Sequence, residues 1–356
     1  MSGWSNDDAC APAAGTRQDG ELRDGSIEHA SLCPRPPRPD GLLGKRFVTV
    51  IGKGGTGKTT VAAALAIMAA RRGLRVLLAA VQAKDRLGDM LGCGPIGPSN
   101  REVRPGIDAV NMVPEANLEE YALQTLKFRA LYRLVMGNHI VQSLLAGIPG
   151  LYQWSLLGKA TYHALETTPD GHDRYDLVVL DAPATGHGLD LLRIPLTITE
   201  SIPGGPLRAE AEERWALLTD PARHEVLPVT IAEDLSVTET VELVARLREL
   251  GMPVNQVVVN RLVPPLFSRR DAAVLRSLDV PGPVGEVIEA GRVRAGWQRV
   301  QTEQMSRLAV ELAELRQVWL PHMLVSTLGP ETLNLLSHAL EALVAPPQRM
   351  VEQPPV

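Results

Sequence analysis

A glycine- and lysine-rich segment, GKGGTGKTT at residues 52–60, has the spacing of a phosphate-binding loop, G-x-x-x-x-G-K-[ST]. The apolar run 47–51 precedes it and the alanine-rich stretch 61–70 follows it, so the sequence places the loop between a strand and a helix. Glycines let the backbone approach a phosphate closely, and the N–H groups of a helix N-terminus attract anions. The segment therefore predicts binding of a nucleoside triphosphate.

Each residue of this loop is a candidate nucleotide contact. Lys58 supplies positive charge to the β- and γ-phosphates, and Thr59 places a hydroxyl where it can bind Mg²⁺. The predicted nucleotide-binding residues are Gly52, Lys53, Gly54, Gly55, Thr56, Gly57, Lys58, Thr59, Thr60 and, from a later segment, Asn260.

An acidic residue, Asp181, follows the apolar run 177–180. A carboxylate at the carboxyl end of a parallel strand lies beside the phosphate loop, where it can hold Mg²⁺ directly or through water. Asp181 and Thr59 are therefore the predicted Mg²⁺ ligands.

Composition excludes several classes of protein. The 356 residues carry a net charge of −5 and a pI near 6.0, which gives no electrostatic signal for nucleic acid. No apolar run approaches the length of a membrane span, and the N-terminus has no basic-then-apolar signal sequence, which predicts a cytoplasmic protein. The three cysteines, Cys10, Cys33 and Cys93, do not have the spacing of metal ligands, so no zinc site is expected.

Alternating strand and helix patterns predict an α/β fold: a doubly wound, mostly parallel sheet of the P-loop NTPase kind. Residues 1–44 and 345–356 are predicted as a flexible leader and tail around an ATPase domain at 45–344. A capping box is predicted at Ser236–Glu239. The predicted strands are 47–51, 76–80, 109–113, 177–181, 226–230, 257–260 and 323–326. The predicted helices, besides the one after the phosphate loop, are 237–250, 308–318 and 331–343.

The alternation breaks at about 117–166, where helical periodicity replaces strands, and a second helical piece covers about 196–220. These two blocks are predicted as a helical insertion. Many bulky apolar residues gather between residues 131 and 157. They either pack against each other and the sheet or form an apolar groove for a partner.

Three segments resemble those of one ATPase family. The KGG-x-GK[ST] form, with its extra Lys53, resembles the deviant Walker A ATPases. DAPATGHGLDLL at 181–192 resembles the D-x-A-P-T-G-H-x-x-x-L-L segment of the arsenite-efflux ATPases and of the ATPases that target tail-anchored membrane proteins. VVVNR at 257–261 resembles the same family's strand-then-asparagine element, so the likeness runs from about residue 46 to about residue 343.

The resemblance implies a Mg²⁺-dependent ATPase in which ATP joins two subunits. Lys53 would reach a nucleotide across the dimer interface; otherwise it is a surplus, solvated lysine. Asn260 would hydrogen-bond the adenine edge, a role that suits an amide with both donor and acceptor. Residues 181–192 would relay the state of the γ-phosphate to the helical region. His187 matches the family by position but could equally cap the next helix.

Three departures from the family pattern bear on function. Gln82 stands where the family has a catalytic aspartate, which predicts slow hydrolysis with Gln82 or Asp85 orienting the water. Cys93 is the one cysteine of the predicted folded core, so a cysteine triad for arsenite is missing. The zinc-bridging C-x-x-C is also missing. The predicted catalytic residues are Lys53, Lys58, Gln82 and Asp181. A narrower resemblance is to a bacterial subgroup of anion-transporting ATPases: it rests on PGGP at 203–206 before an Ala/Glu-rich helix, on Gly150–Leu151 before a helix with Gly158–Lys159, and on Gln82.

Two function classes follow. The first is an ATPase whose nucleotide-driven dimer, a homodimer or a heterodimer of paralogues, is coupled through the helical insertion to a hydrophobic client or membrane partner. The second is a weakly hydrolysing or non-hydrolysing ATP-binding subunit that regulates a heteromeric complex, an interpretation that Gln82 supports. Partition-type ATPases and nitrogenase-type reductases fit worse, because the basic C-terminal helix of the former and the cluster cysteines of the latter are missing.

Overall fold

The computed structural model describes residues 41–81, 86–113, 117 and 150–344. The predicted tail and most of the predicted leader lie outside this part of the chain. The last four residues of that predicted leader, Gly41–Gly44, form a 3₁₀ turn whose Leu42 and Leu43 are buried. The packed structure therefore includes residue 41.

An eight-stranded sheet forms the centre of the described structure, with the strand order β3-β4-β2-β5-β1-β6-β7-β8. All neighbouring strands run parallel except the edge pair β3 and β4. The strands are β1 Phe47–Gly52, β2 Val76–Val81, β3 Arg101–Arg104, β4 Ile107–Met112, β5 Leu177–Ala184, β6 His224–Ile231, β7 Gln256–Leu262 and β8 Arg316–Pro321. The predicted α/β fold with a mostly parallel sheet is confirmed.

Helices cover both faces of this sheet. The described helices are α1 Lys58–Arg71, α2 Arg86–Leu91, α3 Leu151–Leu165, α4 Thr185–Ser201, α5 Pro206–Thr219, α6 Asp234–Glu249, α7 Arg269–Ser277, α8 Pro283–Glu311 and α9 Pro330–Ala339, followed by a 3₁₀ turn Leu340–Leu343. None of these helices is both long enough and apolar enough to cross a membrane.

Two apolar cores lie on opposite sides of the sheet, because successive strand residues point to opposite faces. In β1, Val48 and Val50 pack into the core formed with α1, α2 and α9. Phe47 and Ile51 pack into the core formed with α3, α4, α5 and α6. The strand that leads into the phosphate loop is therefore held from both sides.

The predicted helical insertion is described only in part. Its second block contains α5 and the end of α4, and its first block is described at Asn117 and from residue 150 onward. In α3, Trp154, Leu156 and Leu157 are buried in the core. The packing interpretation is therefore confirmed for these three residues, while the other apolar residues of that cluster between 131 and 149 lie outside the described chain.

Three sequence predictions are wrong. The region predicted as helix 308–318 instead contains the end of α8 and the start of β8, and the predicted strand 323–326 has no regular structure. The predicted capping box at Ser236–Glu239 does not form, because α6 begins earlier, at Asp234. There the Ser236 hydroxyl instead bonds the Thr230 hydroxyl at 3.0 Å. A capping box does form at Ser268, before α7.

Strand β3 and the helices α7 and α8 were not predicted. No residue of α7 is buried, and of the 29 residues of α8 only Leu308 is buried. The apolar stripe of α7 spans only nine residues, and α8 is mostly exposed, so neither helix gives the long amphipathic pattern from which sequence reasoning infers a helix.

Candidate functional site

The phosphate loop joins the end of β1, at Gly52, to the start of α1, at Lys58, as the sequence predicts. Gly57 has φ +92°, and a Cβ there would lie 2.4 Å from Asn260 Nδ2. A Cβ at Gly52 would lie 2.1 Å from the carbonyl oxygen of Val229 in β6. Both positions therefore require glycine, and the loop is packed against two neighbouring strands.

Lys58 lies at the first position of α1 and turns back over the loop. Its Nζ donates a hydrogen bond to the carbonyl oxygen of Lys53 at 3.2 Å. Burial lowers the pKa of the Lys58 ammonium, and the nearby Asp181 carboxylate opposes that shift. A half-buried cation that is short of negative charge is suited to accept a phosphate.

Thr59 and Asp181 meet at the edge of the same loop. The Thr59 hydroxyl donates to Asp181 Oδ2 at 2.6 Å, which joins the start of α1 to β5. The other carboxylate oxygen, Oδ1, is buried without a hydrogen-bond partner among the described residues. Burial raises the pKa of Asp181 to about 6, although Thr59 and Lys58 both act to lower it.

These two oxygens fit a hard divalent cation. Mg²⁺ is usually bound through one or two protein oxygens and completed by water and substrate phosphates. The unpartnered Oδ1 of Asp181 and the Thr59 hydroxyl are oxygen donors of that kind, placed next to the loop. The structure thus brings the two predicted Mg²⁺ ligands together, and their binding of the ion stays a prediction.

Asn260 lies at the end of β7 and holds the loop from the side. Its Nδ2 donates to the carbonyl oxygen of Thr56 at 2.8 Å, and the side chain is buried. The amide therefore has a structural contact with the loop, whereas its contact with adenine stays a prediction.

The hydroxyls of the two remaining threonines of the loop contact other groups of the protein. Thr56 is buried, and its hydroxyl donates to the carbonyl oxygen of Lys53 at 3.0 Å. The Thr60 hydroxyl lies 3.8 Å from the sulfur of Met90 in α2. In this structure, these side chains stabilise the loop and its packing against α2.

Lys53, the extra lysine of the loop, is not a free solvated side chain. Its Nζ forms an ion pair with Glu239 Oε1 of α6 at 2.7 Å. Both side chains are about one-third exposed, at 28% and 34%. Glu239 was expected only as part of a capping box, so its place in this site was missed.

Residues 181–188 form the direct connection from β5, which ends at Ala184, to α4, which begins at Thr185, beside the loop. A Cβ on Gly54 would lie 3.9 Å from Ala184 Cβ, which brings this connection close to the loop backbone. α4 begins at Thr185, whose Oγ1 is buried without a partner in the described chain. His187 is exposed in the first turn of α4 and does not cap it, since the N-cap is Ala184.

Gln82 and Asp85, the residues predicted to orient the attacking water, lie outside the described residues. β2 ends at Val81, the residue before Gln82, and pairs with β5, the strand that carries Asp181. After Glu239, Thr185 is the second residue of this site that the sequence predictions missed, although it belongs to the 181–192 segment that resembles the family.

Comparison with known proteins gives a consistent result. A family model described as anion-transporting ATPase matches residues 45–203 and 208–274. The ATPase BagA of Mycobacterium tuberculosis is 31% identical over 263 residues, which cover 72% of this chain and 75% of that protein.

Two further relatives span more of the chain. The ATPase GET3 of Malassezia globosa is 26% identical over 88% of this chain and 97% of its own length. An arsenical pump-driving ATPase of Acidiphilium multivorum is 26% identical over 86% of this chain, which corresponds to 52% of that protein.

Proposed function

The chain belongs to the anion-transporting ATPase family and is an ATPase, and from that premise we propose that it is a Mg²⁺-dependent enzyme whose ATP-driven dimerisation is coupled to a client protein or membrane partner. The proposed catalytic unit is the domain at 45–344 with its helical insertion at about 117–166 and 196–220. It acts in the cytoplasm and does not bind nucleic acid.

The observation that supports Mg²⁺ dependence is the unpartnered Asp181 Oδ1 beside the Thr59 hydroxyl. In the proposed site, Thr59 and Asp181 hold the ion, and Lys58 holds the β- and γ-phosphates. When bound, Mg²⁺ neutralises charge on the phosphate oxygens. Gln82 or Asp85 orients the attacking water, which gives slow hydrolysis because glutamine cannot accept a proton as a carboxylate does.

The phosphates are bound mainly by backbone. In this proposal Gly52, Gly54, Gly55 and Gly57 keep the loop open to the anion, and backbone N–H groups at the N-terminus of α1, including that of Thr60, point at it. The Thr56 N–H donates instead to the carbonyl oxygen of Lys53 at 3.4 Å. Asn260 fixes the loop and presents its remaining amide oxygen to the adenine edge.

Lys53 is proposed to act in a second subunit, where it stabilises negative charge on the partner's nucleotide. The partner is a second copy or a paralogue, and the assembly contains no bridging zinc. The client is hydrophobic in this proposal, because apolar residues gather in the helical insertion. Arsenite is not proposed as a substrate, although one relative is named an arsenical pump-driving ATPase, because the described core contains a single cysteine, Cys93.

The second candidate is a weakly hydrolysing ATP-binding subunit that regulates a heteromeric complex. It is favoured by Gln82 at the position where the family has an aspartate. Both candidates use the same phosphate loop, so turnover decides between them.

The deciding experiment measures ATP turnover with Mg²⁺ over a range of protein concentrations, beside Lys58→Ala and Gln82→Asp variants. We expect turnover per chain to rise with concentration, to vanish in Lys58→Ala and to increase in Gln82→Asp. Tight ATP binding without turnover would favour the regulatory subunit. Turnover that survives in Lys58→Ala would show a contaminating activity and would reject the first candidate.

A further inference from the structure

The extra lysine of the phosphate loop is already engaged within its own subunit. Lys53 Nζ and Glu239 Oε1 are 2.7 Å apart, and the two residues come from different elements, the loop and α6. An ammonium at that distance from a carboxylate makes a charge-assisted hydrogen bond. The amine is therefore directed toward α6.

The turn of α6 that carries Glu239 is itself fixed from another side. Arg307 of α8 donates to the Thr238 hydroxyl at 2.9 Å and to Asp234 Oδ1 at 3.2 Å. Thr238 and Glu239 are consecutive residues of a helix, so their side chains leave it about 100° apart. The carboxylate that binds Lys53 thus lies on a turn that α8 holds in place. If Lys53 moves, the Glu239 carboxylate therefore does not move with it.

A lysine that must contact a nucleotide in a second subunit has to leave this carboxylate. The ammonium is a compact charge with three donors on a flexible stem, so it can exchange one anionic partner for another. A nucleoside triphosphate offers a higher local negative charge than one carboxylate. Because both side chains are about one-third exposed, the ion pair is weak enough to open.

We infer that Glu239 is the positioning residue of Lys53: it holds the amine within its own subunit until the phosphates of a nucleotide bound in the second subunit replace the carboxylate. This inference rests on the proposed function, since it requires the ATP-driven dimer. It adds that closing the dimer includes breaking one Lys53–Glu239 pair in each subunit.

Glu239→Gln tests this exchange, because it removes the charge and keeps the size of the side chain. Glu242→Gln is the matched control, because Glu242 is an exposed glutamate about one turn further along α6. The first readout is the rate at which an amine-acylating reagent modifies Lys53 in the nucleotide-free, dilute protein, followed by peptide mass spectrometry. The second is ATP-dependent self-association, followed by sedimentation.

In Glu239→Gln we expect faster acylation of Lys53. We also expect ATP-dependent self-association to become about two- to fivefold tighter for each Lys53–Glu239 pair removed, which is the range that a weak ion pair gives. Glu242→Gln should match the wild type in both. In a Lys53→Met background, Glu239→Gln should no longer change self-association, because the amine that the carboxylate holds is missing.

The outcomes separate this inference from the function on which it rests. Unchanged acylation in Glu239→Gln would overturn the inference even if the wild-type protein dimerises with ATP. Faster acylation without tighter association would show a static ion pair and would overturn the exchange. Wild-type protein that stays monomeric with ATP and Mg²⁺ at every concentration would overturn the proposed dimer itself.

Discussion

Thr59 and Asp181 share one short hydrogen bond, 2.6 Å from the threonine hydroxyl to Oδ2, while the second oxygen of the same carboxylate is buried without a partner in the described chain. One oxygen of this carboxylate accepts a hydrogen bond from the protein, and the other accepts none from the described residues. Burial of a carboxylate in this state disfavours its charged form, which is why the pKa of Asp181 is raised to about 6. A cation at this position would remove that cost.

The Asp181→Asn variant should therefore be more stable than the wild type in the absence of Mg²⁺ and nucleotide at pH 8. The folded chain holds the Asp181 proton up to about pH 6, whereas the unfolded chain releases it near 3.8, so stability falls as pH rises through this window. The variant avoids a penalty of up to about 3 kcal/mol. Urea unfolding in EDTA at pH 8 and pH 5 measures this, and the difference should shrink at pH 5.

The same substitution should remove most of the Mg²⁺-dependent ATP turnover, by about 100-fold or more, because the amide carries no charge for the ion. Asp279→Asn, at an exposed carboxylate between α7 and α8, is the matched control and should keep wild-type turnover. Retained turnover in Asp181→Asn would show that the ion is held elsewhere.

Lys58→Met should weaken nucleotide binding without unfolding the protein. Burial already lowers the pKa of the Lys58 ammonium, so an apolar side chain of similar length suits the nucleotide-free fold. ATP affinity should fall by at least about tenfold, since a charge-assisted contact with phosphate is lost. Calorimetric titration measures affinity and thermal unfolding measures stability. A variant that binds ATP normally would exclude Lys58 from the phosphate site.

Gly57→Ala should destabilise the nucleotide-free chain by about 1–3 kcal/mol, because φ at Gly57 is +92° and the new Cβ would lie 2.4 Å from Asn260 Nδ2. Gly54→Ala is the matched control: its Cβ would meet nothing closer than 3.9 Å, so its cost should stay below about 1 kcal/mol. Both are measured by urea unfolding.

The clash predicts a coupling as well. Asn260→Ala should relieve part of the cost of Gly57→Ala, so the double variant should be more stable than the sum of the two changes by about 0.5 kcal/mol or more. Strict additivity would show that the strain at Gly57 lies in the backbone alone.

His224 should make the fold sensitive to acid. Its Nδ1 lies 2.7 Å from the carbonyl oxygen of Leu218, which can only accept, so Nδ1 donates and Nε2 accepts from the Thr49 hydroxyl at 3.0 Å. Burial lowers the pKa of His224 to about 4. The unfolded chain takes up this proton near pH 6.5, so stability is lost as pH falls from 6.5 to 4, by up to about 3 kcal/mol.

Across this pH window, the free energy of unfolding should therefore depend less on pH in His224→Gln. It should keep the wild-type pH dependence in His322→Gln, where the histidine is exposed. The comparison is made in the Asp181→Asn background, because Asp181 titrates with the opposite sign between pH 3.8 and 6. Equal slopes in both histidine variants would exclude His224 as the acid-sensitive group.

The phosphate loop and the central strands could be predicted because local signals and tertiary structure agree there. β1, β2, β5 and β7 are buried runs bounded by turn residues, and Gly52 and Gly57 of the loop occupy positions where a side chain cannot fit. The position of Asp181 beside the loop could be predicted because the carboxyl ends of parallel strands lie at the same edge of a sheet.

The edge of the fold was less predictable. β8 buries Val318 and Leu320, while Trp319 between them is half exposed. This alternation spans too few residues to outweigh the helical spacing of the upstream leucines Leu308, Leu312 and Leu315. The Lys53–Glu239 pair joins residues 186 positions apart, and no local pattern indicates such a contact.

The long helix α8 also has a mechanical consequence. At 1.5 Å per residue, its 29 residues span about 44 Å, and its buried residue, Leu308, lies near its C-terminal end. Arg307, which bonds the first turns of α6, is next to that pivot. A tilt of about 10° at the pivot would displace the far end by about 7 Å. A rotation of α6 that tilted α8 about Leu308 would therefore move Pro283, and with it the segment 263–267 that Gln298 and Gln301 bond, farther than it moved α6 itself.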